Sequence, residues 1–149
     1  MRAGSPSSLP DPAIVEIVPA QRPEEVFLAA NLFCEYAEQL GIDLSFQRFE
    51  DELAALPGAY APPRGRLLLG LVAGQAAGCV GLRPLEGSLC EMKRLYVRPA
   101  LRRTGVGRRL AEAVIAAGRE LGYERMRLDT LPSMDAAGML YDSLGFTEI

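Results

Sequence analysis

The stretch Cys90-Glu91-Met92-Lys93-Arg94-Leu95-Tyr96-Val97-Arg98-Pro99-Ala100-Leu101-Arg102-Arg103-Thr104-Gly105-Val106-Gly107-Arg108-Arg109-Leu110 changes character twice. Met92 to Val97 has the composition of a β-strand, and Pro99 stops it. From Thr104 a helix opens, its apolar positions recurring at Leu110, Val114, Ile115 and Leu121. The turn between them is basic and punctuated by Gly105 and Gly107. Lacking a Cβ, these two let the backbone approach a ligand closely. The first N–H groups of the helix have no partner within it and lie at the positive end of its dipole. With Arg102, Arg103, Arg108 and Arg109 around that end, the turn describes a cradle for a phosphate or pyrophosphate.

Spacing removes two kinds of cradle. A Walker turn needs Gly-Lys-Ser/Thr, but Arg108 follows the second glycine. A dinucleotide turn needs a third glycine where Leu110 stands. An ordinary glycine turn of any α/β protein is the bland alternative. At 149 residues the chain fits one domain with a real core. Its net charge of −3 hides an asymmetry: residues 1–63 hold ten acidic against three basic residues, residues 64–149 nine against thirteen. A basic centre suits a polyanionic cofactor, and the sign of the whole disfavours nucleic acid. Three unevenly spaced cysteines, Cys34, Cys79 and Cys90, suggest reduced thiols in a cytoplasmic protein. No apolar run approaches a membrane span, and nothing resembles a signal peptide. The absence of histidine removes the usual triads and most zinc sites, so no metal is expected.

Along the chain, residues 1–12 read as a disordered leader and 13–149 as a single domain. Ala13 to Val18 is a first strand. A helix follows from Pro23 to Gly41, and a second from about Ser45 to Leu56. Arg66 to Val72 and Ala76 to Leu82, separated by Ala73-Gly74-Gln75, form a hairpin, and Leu89 to Val97 is the next strand. The helix from Thr104 ends near Leu121, with Gly122 as its cap. Met126 to Thr130 is a parallel strand, Asp135 to Leu144 a last helix, and Phe146 to Ile149 the beginning of a strand.

Two motifs, Leu95-Tyr96-Val97-Arg98-Pro99 leading to Arg102-x-x-Gly105-x-Gly107, and Leu140-Tyr141-x-x-Leu144-Gly145-Phe146, together resemble the GNAT N-acetyltransferases. The resemblance covers about residues 13–149. It implies an α/β (α+β) acyl-CoA N-acyltransferase fold, a mixed central sheet with flanking helices whose final strand is missing here. It implies an acetyl-CoA-dependent acyltransferase that moves an acetyl group to a primary amine by direct attack in a ternary complex.

By the same resemblance, the backbone of Leu95, Tyr96 and Val97 holds the pantetheine arm. The turn Arg102, Arg103, Thr104, Gly105, Val106, Gly107 and Arg108 holds the pyrophosphate. Tyr141 is the expected general acid, returning a proton to the thiolate as the thioester breaks. Glu91 is the expected base, direct or through water, unless it is a strand glutamate facing solvent. Losing its proton at pH 7 costs an ordinary ammonium about 4 to 5 kcal/mol. Glu35, Glu38, Asp43, Glu50, Asp51 and Glu52 suggest a small-molecule or peptide amine that is cationic. Where many members carry Asn, this chain has Met134. A sheet that stops at Ile149 suggests either a chain cut short or a partner subunit that supplies the strand, in which case a homodimer covers its edge. The competing reading is a non-catalytic acyl-CoA-binding sensor of the same fold.

Overall fold

In this computed structural model, which describes residues 14–39, 41 and 47–128, five strands form one mixed sheet. They lie in chain order: β1 (Val15–Pro19), β2 (Arg66–Val72), β3 (Gln75–Pro84), β4 (Leu89–Val97) and β5 (Arg125–Arg127). The first four are antiparallel neighbours, and β5 lies parallel to β4. Helices α1 (Pro23–Gln39) and α2 (Gln47–Ala55) cover one face, and α3 (Val106–Glu120) the other. Tyr141, Met134, the last helix and strand, and the leader 1–12 lie outside the described residues. The expected dimer depends on that last strand. Among the described residues, no helix is long and apolar enough to cross a membrane.

Local chemistry explains the boundaries. Ala73 and Gly74 both take left-handed φ, +53° and +81°, the two-residue turn that matches the twist of a hairpin. Gln75, expected in the loop, therefore pairs with Val72 and begins β3. At the start of α1, Glu25 Oε1 accepts from the backbone N–H groups of Gln21 (3.2 Å) and Arg22 (3.0 Å). These bonds, the one from Arg22 foremost, hold its carboxyl down to about 2. Gly122, at φ +87°, ends α3 as expected, with its N–H on Arg119 and that of Tyr123 on Gly118.

Two buried clusters sandwich the sheet. Leu68, Val72, Val80, Leu82, Cys90 and Met92 pack with Val106, Leu110 and Val114 of α3. Leu67, Leu69, Cys79 and Tyr96 pack with Leu32 and Phe33 of α1, Phe49 of α2 and Tyr60. Gly70 and Gly78 are paired in register beneath the first turn of α3. A Cβ at Gly70 would lie 2.5 Å from Val106 Cγ2, and one at Gly78 would lie 2.4 Å from the Tyr96 carbonyl oxygen and 3.2 Å from Leu110 Cδ1. The two glycines thus form a depression that seats the N-terminal end of α3 close to the end of β4. Gly78→Ala is expected to cost about 1–3 kcal/mol, because the obstructing atom is backbone and cannot turn aside. Urea unfolding checks this, and an unchanged midpoint would contradict the close seat.

Candidate functional site

The site begins with a break in the alternation of β4. Cys90 and Met92 face α3, so a regular strand would send Arg94 into the same apolar layer and leave Leu95 and Val97 with Glu91. Instead, the register with β3 shifts between Cys79 and Gly81, so that Val80 opposes both Arg94 and Leu95. Arg94 takes φ +64°. This is a β-bulge, and it resets the parity. Beyond it, Leu95 and Val97 pack with the α3 cluster, and Tyr96 packs with the α1 cluster.

The bulge is held from the α2 side. Arg94 Nε and Nη2 donate to Glu52 Oε2 and Oε1 at 2.9 and 2.8 Å, a bidentate pair. The guanidinium lies 5.9 Å from the Tyr36 ring centroid and 5.8 Å from that of Phe49. Tyr60 Oη donates to Glu52 Oε2 at 3.3 Å. Burial works against the Glu52 carboxylate, but the hydrogen bonds and charge of Arg94 outweigh it and hold the carboxyl below the usual range. A second bridge lies nearer the end of β4. Arg98 donates to both oxygens of Glu35 on α1, and Tyr96 Oη donates to Glu35 Oε1 at 3.2 Å.

On its other side β4 pairs with β5 only over Leu89, Cys90 and Glu91. Among the described residues, Met92 to Val97 has no strand along that edge. Glu91 sits at the fork. It does not face solvent: its residue exposure is 2%, and it lies in register with Arg83 on one side and Arg127 on the other. Arg83 Nη2 reaches Glu91 Oε1 at 2.7 Å, and Arg127 Nη2 reaches Oε2 at 3.5 Å. Cys90 is buried, donates to the Arg125 carbonyl at 3.5 Å and has its thiol pushed up by burial, which disfavours the nucleophilic thiolate. Cys79 is likewise buried, its thiol raised by desolvation.

The open edge leads to the basic turn. After Val97 a short helical turn, Pro99–Leu101, delivers the chain to Arg102. Arg103 and Gly105 are left-handed at φ +72° and +88°, and α3 begins at Val106. A left-handed residue followed by a helical one turns successive N–H groups toward one point, a concavity suited to an anion. Thr104 Oγ1 donates to the Leu101 carbonyl at 2.7 Å and fixes the loop. Gly107 faces Val97: a Cβ there would lie 3.2 Å from Val97 Cγ2. Val106, 1% exposed, is core as well as loop.

The arginines divide. Arg102 bridges Gln39 on α1 (2.7 Å) and the Val97 carbonyl (3.1 Å), and Arg108 pairs with Glu112 one turn along. Arg109 turns away to the Val15 carbonyl. Arg103 is exposed, with no side-chain partner among the described residues.

Leu95, Tyr96 and Val97 thus end β4, the turn from Arg102 to Arg108 follows through Pro99–Leu101, and Glu91 lies at the other end of the same strand, buried. The sequence reading missed the Arg94–Glu52 and Arg98–Glu35 bridges. The parity switch between Met92 and Leu95 was the available signal for the first.

Comparison with known proteins bears on the family and the fold. The sequence matches the profile of the Acetyltransferase (GNAT) family over residues 28–146. An uncharacterized N-acetyltransferase of Schizosaccharomyces pombe is 40% identical over 137 residues, 91% of this chain and 84% of the relative. The crystal structure of a GNAT-family acetyltransferase from Staphylococcus aureus Mu50 superposes with a TM-score of 0.79 at 19% identity, covering 91% of this chain and 84% of the other. The aminoglycoside acetyltransferase AAC(6')-Iy, solved with a CoA bisubstrate analogue, superposes at 0.69 and 19% identity, covering 90% of this chain and 91% of that one.

The Glu52–Arg94 pair generates a pH prediction. A carboxyl held lower in the folded than in the unfolded chain stabilises the fold above its unfolded value near 4.3. That contribution is lost as pH falls toward the lower folded value. Glu52→Gln should therefore cost about 1.5–3 kcal/mol at pH 7 and remove part of the decline in stability below about pH 4.3. Denaturant titrations of both proteins from neutral to acid pH check this. Parallel curves for the two would contradict it.

Proposed function

The chain belongs to the GNAT acetyltransferase family, and we propose that it transfers an acetyl group from acetyl-CoA to the primary amine of a small molecule by direct attack in a ternary complex. The observation that carries this reading is the edge of β4 beyond Glu91, which has no strand partner among the described residues, running into the glycine-capped N-terminus of α3. A CoA-shaped ligand needs both parts: a row of backbone groups for an amide-bearing arm, and converging N–H groups for a pyrophosphate. The residues present fit it. Gly105 supplies the left-handed cap, and Gly107 the space beside Val97. Bound there, acetyl-CoA supplies the activated thioester.

In this reading the N–H groups from Arg103 to Arg108 hold the pyrophosphate, with Arg103 free to pair with phosphate. Leu95 and the Val97 N–H offer their backbone to the arm, while the backbone of Tyr96 faces β3, where its carbonyl lies against Gly78. The Val97 carbonyl already accepts from Arg102, so Arg102 shapes the edge and ties it to α1. Tyr141 returns the proton to the departing thiolate; it lies outside the described residues and enters through its place in the family motif. Glu91 takes the amine proton through a water. Both its oxygens accept from guanidiniums, and the lone pairs left over suit a water better than an ammonium. The buried, protonated cysteines do not serve as a covalent relay.

For the acceptor, likeness to an aminoglycoside acetyltransferase supports a small-molecule amine. Of the acidic residues expected to greet a cation, Glu35 and Glu52 are spent on Arg98 and Arg94. Asp43 lies outside the described residues, and Glu38, Glu50 and Asp51 remain as an exposed rim. A cationic acceptor would meet only that rim.

Two substitutions separate binding from chemistry. Gly107→Glu places a side chain against Val97 and a negative charge at the helix N-terminus. It should weaken acetyl-CoA binding by calorimetry at least tenfold, about 1.4 kcal/mol. Tyr141→Phe should leave that affinity in place and lower acceptor-dependent thiol release roughly 100-fold. Equal loss of affinity in both would remove Tyr141 from its role. Binding without thiol release, for any amine in a panel of polyamines, amino acids, aminoglycosides and lysine peptides, would favour the sensor reading.

A further inference from the structure

The 16 basic side chains of this protein are 15 arginines and a single lysine, Lys93. It stands on β4 between Glu91 and the bulge, at the start of the edge that β5 leaves open. Its side chain lies on the α1/α2 face. Lys93 is paired with Gly81, residues directly opposite in an antiparallel pair point to the same face, and a Cβ at Gly81 would meet the Tyr60 ring at 2.7 Å.

The cations around it are engaged: Arg83 and Arg127 with Glu91, and Arg94 with Glu52. Lys93, half-buried, makes no hydrogen bond or ion pair among the described residues. Burial foremost, then the charges of Arg94 and Arg83, push its amine below the ordinary lysine range, while Glu91 and Glu52 pull weakly the other way. Its amine therefore gives up its proton more readily than an ordinary lysine's.

We propose that Lys93 is itself an acyl acceptor, and that the protein acetylates its own Lys93 from acetyl-CoA bound along the open β4 edge. This rests on the reading of that edge as the acyl-CoA site. Lys93 precedes Leu95 by two residues with the bulge between them, so their Cα atoms lie no more than about 7 Å apart, a span that a four-carbon stem covers. The neutral amine of Lys93 adds to the carbonyl carbon of the thioester. The C–N bond forms as the C–S bond breaks, and sulfur leaves with the bonding pair. The nitrogen sheds one proton, taken up by the leaving thiolate directly or through solvent. The product is an amide, which does not pass the acetyl group on. Each chain reacts once, its only lysine is neutralised, and an acetamide fills the place where an incoming amine would stand. The reaction is self-limiting, and it restrains turnover of other amines.

The full chain is incubated with acetyl-CoA carrying an isotope-labelled acetyl group, digested and read by mass spectrometry, with cofactor binding measured in parallel by calorimetry. The expected result is a single labelled acetyl group per chain, on Lys93. Its first-order rate should be independent of protein concentration and at least about tenfold faster than in the urea-unfolded chain. The rate should climb with pH and level off below the ordinary lysine value of about 10.4. Lys93→Arg should bind the cofactor with unchanged affinity and take up no label. Labelled protein, freed of cofactor, should release thiol more slowly with the best external amine than unlabelled protein does. Cofactor binding with no label on Lys93, or label confined to the N-terminal amine, would overturn the inference while leaving the proposed function standing. No cofactor binding at all would remove both.

Discussion

The left-handed backbone at Arg94 is the constraint on which the rest of the site depends. A non-glycine residue at φ +64° costs on the order of 1–3 kcal/mol and persists only where its surroundings over-determine it. Here they do. The guanidinium is clamped in two bonds by Glu52 and sits over the rings of Tyr36 and Phe49, and Cys79 Sγ donates to the Arg94 carbonyl at 3.3 Å. One extra residue in β4 then lets Cys90, Met92, Leu95 and Val97 all reach the α3 layer while Glu91, Tyr96 and both cations stay off it. The strain is local, and the benefit is a fully apolar layer under α3.

The same device orients the end of β4. Below the bulge, β4 is locked between β3 and β5, with Glu91 joining Arg83 to Arg127 across three strands. Above it, β4 keeps β3 but has no β5 partner among the described residues. Its end is tied instead to α1 through Arg98–Glu35 and Arg102–Gln39. Meanwhile the paired glycines Gly70 and Gly78 draw the first turn of α3 down against the sheet. An open strand edge and a helix N-terminus, each an ordinary source of unpartnered backbone groups, are thereby brought into line.

Much of this could be read from the residues. The hairpin, the run Leu89 to Val97, the glycine turn and the helix after it all have local causes, and each was found within two residues of its expected place. What was not legible depends on register. Glu91 was expected as a base or a solvent-facing side chain. Only the alignment of Arg83 and Arg127 with it, from two different strands, shows that it is buried and doubly paired. Glu35 and Glu52 looked like part of a lure for a cation because their partners, Arg98 and Arg94, lie more than forty residues away in sequence. Tyr141 and Met134 fall outside the described residues, so the family motif alone speaks for them.

If a strand edge and a helix N-terminus hold acyl-CoA by main-chain groups, binding must protect those groups from amide hydrogen exchange. Saturating acetyl-CoA should slow exchange in two separate segments, Leu95–Val97 and Arg103–Arg108, with little change along β1 or the outer turns of α1. Tight cofactor binding that leaves both segments unprotected, or protects a surface elsewhere, would contradict it.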